Sequence, residues 1–237
     1  MTVENVLETL KSLGSESTRK IFRNHGAPDN MYGVKVGDMK GIIKKLPRKR
    51  DHELSLALYD TGNSDAMYMA GLIADEKKIS ADDLRRWAEK ASWYMISEYT
   101  VAWVAADSPH GWNLALEWIE SPVEHIASTG WGTLASLCTV RPDASLDLAA
   151  MEQLLDRVAQ TIHNAPNRVR YTMNSFVIAA GICVVPLAEK AMATARKVGK
   201  VTVDQGGTAC KVPDAVAYID NARAKGRMGV KKKDARC

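Results

Sequence analysis

SLDLAAMEQLLDRVAQTI, residues 145–162, sets the pattern for the whole chain. Within it Leu148, Met151, Leu155, Val158 and Ile162 recur at alternating three- and four-residue steps, so their side chains line one face of an α-helix. His163-Asn-Ala-Pro166 ends that helix, and Pro166 opens the next. Upstream, Ser80 caps a helix of the same kind. Asp82 and Asp83 occupy its first turn, where the helix dipole favours acids, and Leu84, Trp87, Ala88 and Ala91 share a face. The same reading predicts helices near residues 3–12, 16–25, 36–46, 51–60, 64–74, 92–106, 109–119, 122–139, 167–184, 186–198 and 212–225. Val201-Thr-Val203 alternates as a strand would, but Asp204-Gln-Gly-Gly207 follows and marks a loop. The expected class is all-α.

A weak internal repeat says how the helices stack. His52-Glu-Leu-Ser-Leu-Ala-Leu58 resembles His110-Gly-Trp-Asn-Leu-Ala-Leu116, and a short turn and an Ala/Gly-rich helix follow each. Short helices joined by brief turns suit an α-solenoid, in which each pair buries its face against the next. A globular helical bundle is the alternative. The expected organisation is one domain over residues 1–225 and a flexible basic tail over 226–237.

Charge is concentrated rather than spread. Lys35 to Arg50 holds seven basic residues (35, 40, 44, 45, 48, 49, 50) against Asp38 alone. Arg223 to Cys237 holds seven more (223, 225, 227, 231, 232, 233, 236) against Asp234. Each segment is a net +6 in a chain of net +4, so the remainder carries −8. Two cationic clusters on an acidic body suit a polyanion, because each phosphate neutralised releases counterions. The plainer reading is a solvated helix face and a ragged basic end.

Other features exclude function classes. The longest uncharged apolar stretch, Phe176 to Ala188, contains Gly181 and Pro186 and is too short for a bilayer, so no membrane role is expected. No basic block precedes an apolar one at the N-terminus, so no secretory signal is visible. Cysteines 138, 183, 210 and 237 lack zinc or redox spacing, which points to reduced thiols in the cytoplasm. No ligand-spaced His/Cys/Asp cluster and no phosphate loop is present, so neither metal nor cofactor is expected.

The candidate chemistry centres on Glu98. Average composition predicts about four charges in the fifteen residues from Ser92 to Ala106, yet Glu98 is the only one. Tyr94 lies one turn earlier on the same face. A ring beside a carboxylate suits a cationic ligand, the ring adding about 0.5–2 kcal/mol. The competing reading is a core glutamate bridged to a buried arginine. Arg168 and Arg170 open a helix otherwise free of charge to Val185, against its dipole, so they are candidates either for phosphate or for a carboxylate such as Glu98. Trp131 stands between Gly130 and Gly132, an arrangement that makes sense where the helix backbone approaches something closely. The other tryptophans (87, 93, 103, 112, 118) read as core.

Two stretches carry a family resemblance. Tyr32-Gly-Val-Lys-Val-Gly-Asp-Met-Lys-Gly-Ile-Ile-Lys-Lys-Leu46 resembles the N-terminal signature of the AlkD-like DNA alkylation repair family, and Ser92-Trp-Tyr94…Glu98 is similar to its catalytic segment. The resemblance implies a HEAT-like repeat fold and a DNA glycosylase that removes positively charged N3- or N7-alkylpurines from double-stranded DNA. It implies a carboxylate that stabilises the oxocarbenium-like transition state, with aromatic residues contacting the damaged nucleotide. Carried over by residue, Glu98 stands where the family has Asp and Tyr94 where it has Trp. The family's arginine falls near Ser128 and its second tryptophan near Ser175, with Trp131, Arg168 and Arg170 about a turn away. The expected DNA contacts are therefore Tyr94, Trp131, Arg168, Arg170, Lys44, Lys45, Arg48, Lys49, Arg50, Lys231, Lys232 and Lys233. A non-catalytic module for distorted or branched DNA, and a HEAT-type protein-binding scaffold, are the other readings. A monomer is expected.

Overall fold

The computed structural model describes residues 1–91 and 93–236; Ser92, which opens the Glu98 segment, and Cys237 lie outside the described residues. Thirteen α-helices and no strand occur among them: α1 (Val3–Leu13), α2 (Glu16–Asn24), α3 (Val36–Ile43), α4 (His52–Asp60), α5 (Ser64–Ile73), α6 (Ala81–Lys90), α7 (Ala102–Asp107), α8 (Gly111–Trp118), α9 (Glu124–Val140), α10 (Leu148–Thr161), α11 (Asn167–Cys183), α12 (Ala188–Val198) and α13 (Ala215–Ala224). Capping explains many of the starts. Ser80 and Asp83 form a reciprocal capping box on α6, while Asp51, Asn63, Asp147 and Asp214 each cap the helix that follows. Helix α10 therefore begins at Leu148, after a 3₁₀ turn over Asp143–Ser145, rather than at Ser145.

The helices stack in two rows. The inner row is α5, the segment ending in α7, α9, α11 and α13, each packed on the next; α4, α8, α10 and α12 lie outside it. The two repeated heptapeptides fall on α4 and α8, each the outer member of a pair, with α5 and α9 as their inner partners. The fold is a HEAT-like α-solenoid. Two groups of buried side chains hold it: one around Leu10, Leu58, Ile73 and Trp87, the other around Trp131, Leu155, Phe176 and Ala191. Trp103 packs against both groups. Among the described residues, no single helix is long and apolar enough to cross a membrane.

Two expectations change, and one, the loop after α12, holds. The segment expected as one α-helix up to Ala106 is a π-helix over Met95–Val101 before it becomes α7. Residues 201–207 do form a loop, yet Val201 and Val203 are buried. Residues 229–236, expected to be flexible, lie against the body: the Gly229, Lys232 and Ala235 amides donate to Ile182 O, Thr139 O and Asp107 Oδ1, and Ala235 is buried. Helix-end carbonyls and the Asp107 carboxylate supply the acceptors that a basic sequence does not reveal.

Candidate nucleic-acid interface

The π segment is wedged between two glycines on its neighbours. A Cβ on Gly71 of α5 would sit 2.4 Å from Thr100 Cγ2, and one on Gly132 of α9 would sit 3.0 Å from Glu98 O. Without those methyls the backbones close in, and the widened turn delivers Glu98 to the inner row. Single π turns often mark such functional positions.

Glu98 is 5% exposed and does not stand free. Its Oε1 accepts from Arg168 Nε at 2.7 Å and its Oε2 from Arg168 Nη2 at 2.5 Å, a two-pronged pair. The guanidinium lies 4.3 Å from the Tyr94 ring centroid and 4.5 Å from that of Tyr171, and Nη1 donates to Gln205 Oε1 at 3.2 Å. Ring and carboxylate thus do form a cation box, and the cation in it is the chain's own Arg168. Glu124 meets the cost of an arginine in the first turn of α11, accepting from the Arg168 amide at 2.7 Å. Burial pushes the Glu98 carboxyl up, to about 7, and the Arg168 pair opposes that rise. The Tyr94 hydroxyl, pushed up to about 12 by burial, pairs with His25 Nδ1 at 3.1 Å.

Two cavities flank this pair. One of about 240 Å³ is walled by His25, Trp93, Tyr94, Arg168 and Gln205. The other, about 280 Å³, takes in Tyr99, Trp103, Tyr171, Ser175 and Lys232. Tyr99 and Trp103 continue the aromatic line from Tyr94, with edge-on ring spacings of 6.3 and 5.4 Å. Ser175 Oγ donates to Tyr171 O, and Ser128 is fully buried. Tyr99, Tyr171 and Gln205 are not legible as site residues, because each is placed there only by packing between distant elements.

The remaining expected contacts divide sharply. Trp131 is 0% exposed and packs on Phe176, so it is core and cannot touch DNA. Its flanking glycines serve helix packing: a Gly130 Cβ would sit 2.9 Å from Ala115 O, and Gly132 faces Glu98. Arg170 is half-buried and donates to its own helix, Nη2 to Asn167 Oδ1 at 3.3 Å. Arg50 donates to Leu72 O at 2.8 Å and lies 3.3 Å from Glu76. Lys231 donates to Cys138 O and pairs with Asp143, both at 2.8 Å. Arg50 and Lys231 are thus engaged structurally, whereas the buried Arg170 Nε has no hydrogen-bond partner among the described residues. By contrast Lys44, Lys45, Arg48, Lys49, Lys232 and Lys233 are exposed, with no acidic partner among the described residues. The two basic segments also converge, since Arg50 and Arg236 both reach Glu76, at 3.3 and 3.0 Å. Sequence distance hides that meeting.

A HEAT-like repeat protein with a charged, aromatic-lined inner row defines the class. The family described as DNA alkylation repair enzyme matches residues 6–219, and the chain belongs to that family. An uncharacterized protein of Listeria monocytogenes serovar 1/2a is 37% identical over 227 residues, covering 94% of this chain and 98% of its own. One of Listeria innocua serovar 6a is 36% identical over the same shares. A solved structure, 38% identical, superposes with a TM-score of 0.91 over 100% of both chains. It is described as representing a new family of proteins related to the HEAT-like repeat DNA glycosylases with affinity for branched DNA structures.

Proposed function

We propose that this protein binds branched or sharply distorted duplex DNA along its inner row, and that Glu98 does not excise bases. One observation carries the reading: Arg168 holds both oxygens of the only carboxylate in that segment and fills the aromatic box beside it. An alkylated base would have to evict this arginine. Breaking a buried pair costs about 3–5 kcal/mol, and a cationic base would have to replace both the two-pronged hydrogen bonds and the ring contacts to offset it. The anion the chemistry requires is already neutralised. The branched-DNA affinity described for the structure 38% identical to this chain supports the choice of ligand. So do the exposed cations on two converging segments, among them Lys44, Lys45, Arg48, Lys49, Lys232 and Lys233, which have no acidic partner among the described residues.

The family's description as repair enzymes favours a second reading, in which DNA docking swings Arg168 off Glu98 and N7-alkylpurines are released. One paired assay decides between them. Purified protein is incubated with duplex DNA containing 7-methylguanine and, separately, with labelled four-way junction and linear duplex. The expected result is junction binding tighter than duplex binding with no free base. Release of 7-methylguanine that disappears in Glu98→Gln would reinstate the catalytic reading.

A further inference from the structure

Residues 229–236 form a strap across the C-terminal ends of four inner-row helices. The Gly229 amide donates to Ile182 O in α11 and the Lys232 amide to Thr139 O in α9, each at 2.8 Å. The Ala235 amide donates to Asp107 Oδ1 at the end of α7, 2.9 Å away. Arg236 Nη1 then donates to Ala74 O, just past α5, at 3.1 Å and across 162 residues of sequence. Arg236 is the anchor: its side chain is 4% exposed, 3.0 Å from Glu76 and 3.4 Å from Asp107. The basic composition has a local cause, because cations suit the negative ends of helices and their unpaired carbonyls.

The consequence is mechanical. A repeat array is held by contacts between neighbours, so small rotations at each step add up and the curvature is soft. A brace from α11 to the end of α5 removes that freedom. The same strap brings Lys232 and Ala235 into the wall of the cavity shared with Tyr99, Trp103 and Tyr171. Its exposed cations, Lys232 and Lys233, are therefore held in place before any phosphate arrives, which avoids an ordering cost on binding.

We infer that the strap fixes the curvature of the inner row, and that Arg236 is the positioning residue that makes this face prefer a branched duplex to a straight one. The inference rests on the DNA-binding reading above. A disposable stabilising clip is the competing role, and the two differ in what they do to selectivity. Full-length wild type, Arg236→Ala, Arg236→Lys, Lys231→Ala and Lys232→Ala/Lys233→Ala are titrated by fluorescence anisotropy against a four-way junction and a linear duplex. Amide exchange at Lys232 and Ala235 reports strap release in each variant.

Arg236→Ala is expected to lower the junction-to-duplex affinity ratio by on the order of five- to tenfold, in the range of coupling between separate sites. Arg236→Lys should restore part of the ratio, and Lys231→Ala, which frees the middle of the strap, should lower it less. The double lysine variant should weaken both ligands alike. If Arg236→Ala, or Lys231→Ala should the former not fold, shows a released strap but an unchanged ratio, the strap is only a clip and the inference falls. If wild type itself shows no junction preference, the proposed function falls first, and the inference with it.

Discussion

At the scale of single residues, two buried acids have opposite meanings. Glu98 has the sequence marks of a site and is paired; Asp65 carries no such mark and secures the family signature. Asp65 is 2% exposed, and its Oδ2 accepts from the Tyr32 and Gly33 amides at 2.5 and 2.9 Å, its Oδ1 from Val34 at 2.9 Å. The aromatic-Gly-Val motif is therefore a loop moulded onto a carboxylate, with Gly33 at a φ of +79° that favours glycine. Asp65→Ala strips acceptors from three amides, two of those hydrogen bonds being fully buried. Each such orphan costs about 1–3 kcal/mol, so urea denaturation should show a loss of at least about 3 kcal/mol. A loss under about 1 kcal/mol would mean water replaces the carboxylate. Trp131 gives the converse test. Trp131→Phe should lower the melting temperature and leave DNA affinity of the folded protein unchanged, because the ring is wholly enclosed; weaker binding at unchanged stability would return it to the interface.

At the scale of elements, the helices are legible in the sequence and their irregularities are not. Apolar spacing and caps such as Ser80–Asp83 fix a helix locally. The π turn over Met95–Val101 hides in a segment that is apolar on every side, so no periodicity records the extra residue per turn. Its visible correlates are Gly71 and Gly132, which lie on other helices. Arg168 meets Glu98 across 70 residues; the arginine's misfit with its helix dipole makes that carboxylate one candidate partner in the sequence, but spacing does not choose it over phosphate. The glycine wedge is open to a compensation test. Gly71→Ala should destabilise by about 1–3 kcal/mol through overpacking, since its Cβ would lie 2.4 Å from Thr100 Cγ2 while the next atoms are 3.4 Å or more away. Thr100→Ser deletes that methyl. The double variant should therefore recover much of the loss, with a coupling of about 0.5–3 kcal/mol. Strict additivity in thermal melts would show that the π turn does not depend on this packing.

At the scale of the whole molecule, charge placement ties fold to function. An acidic body of net −8 carries two basic segments that meet at Glu76. Their members are not equivalent, and sequence alone cannot sort them: Arg50, Lys231 and Arg236 are engaged with carbonyls and acids, while Lys44, Lys45, Arg48 and Lys49 face solvent. The two kinds of cation should separate cleanly by experiment. Replacing Lys44, Lys45, Arg48 and Lys49 together with Ala should leave the melting temperature nearly unchanged, since none has an acidic partner among the described residues. DNA affinity should fall for junction and duplex alike, and the slope of log affinity against log salt should flatten by up to roughly 0.9 for each phosphate no longer neutralised. Arg50→Ala should do the reverse, lowering stability by removing the donor to the Leu72 carbonyl and the ion pair with Glu76, with little change in salt slope. A quadruple variant that binds with an unaltered slope would place the phosphates elsewhere. The strap lysines, with the exposed Lys35, Lys40, Lys225 and Arg227, would then be the members of the two basic segments left to meet them.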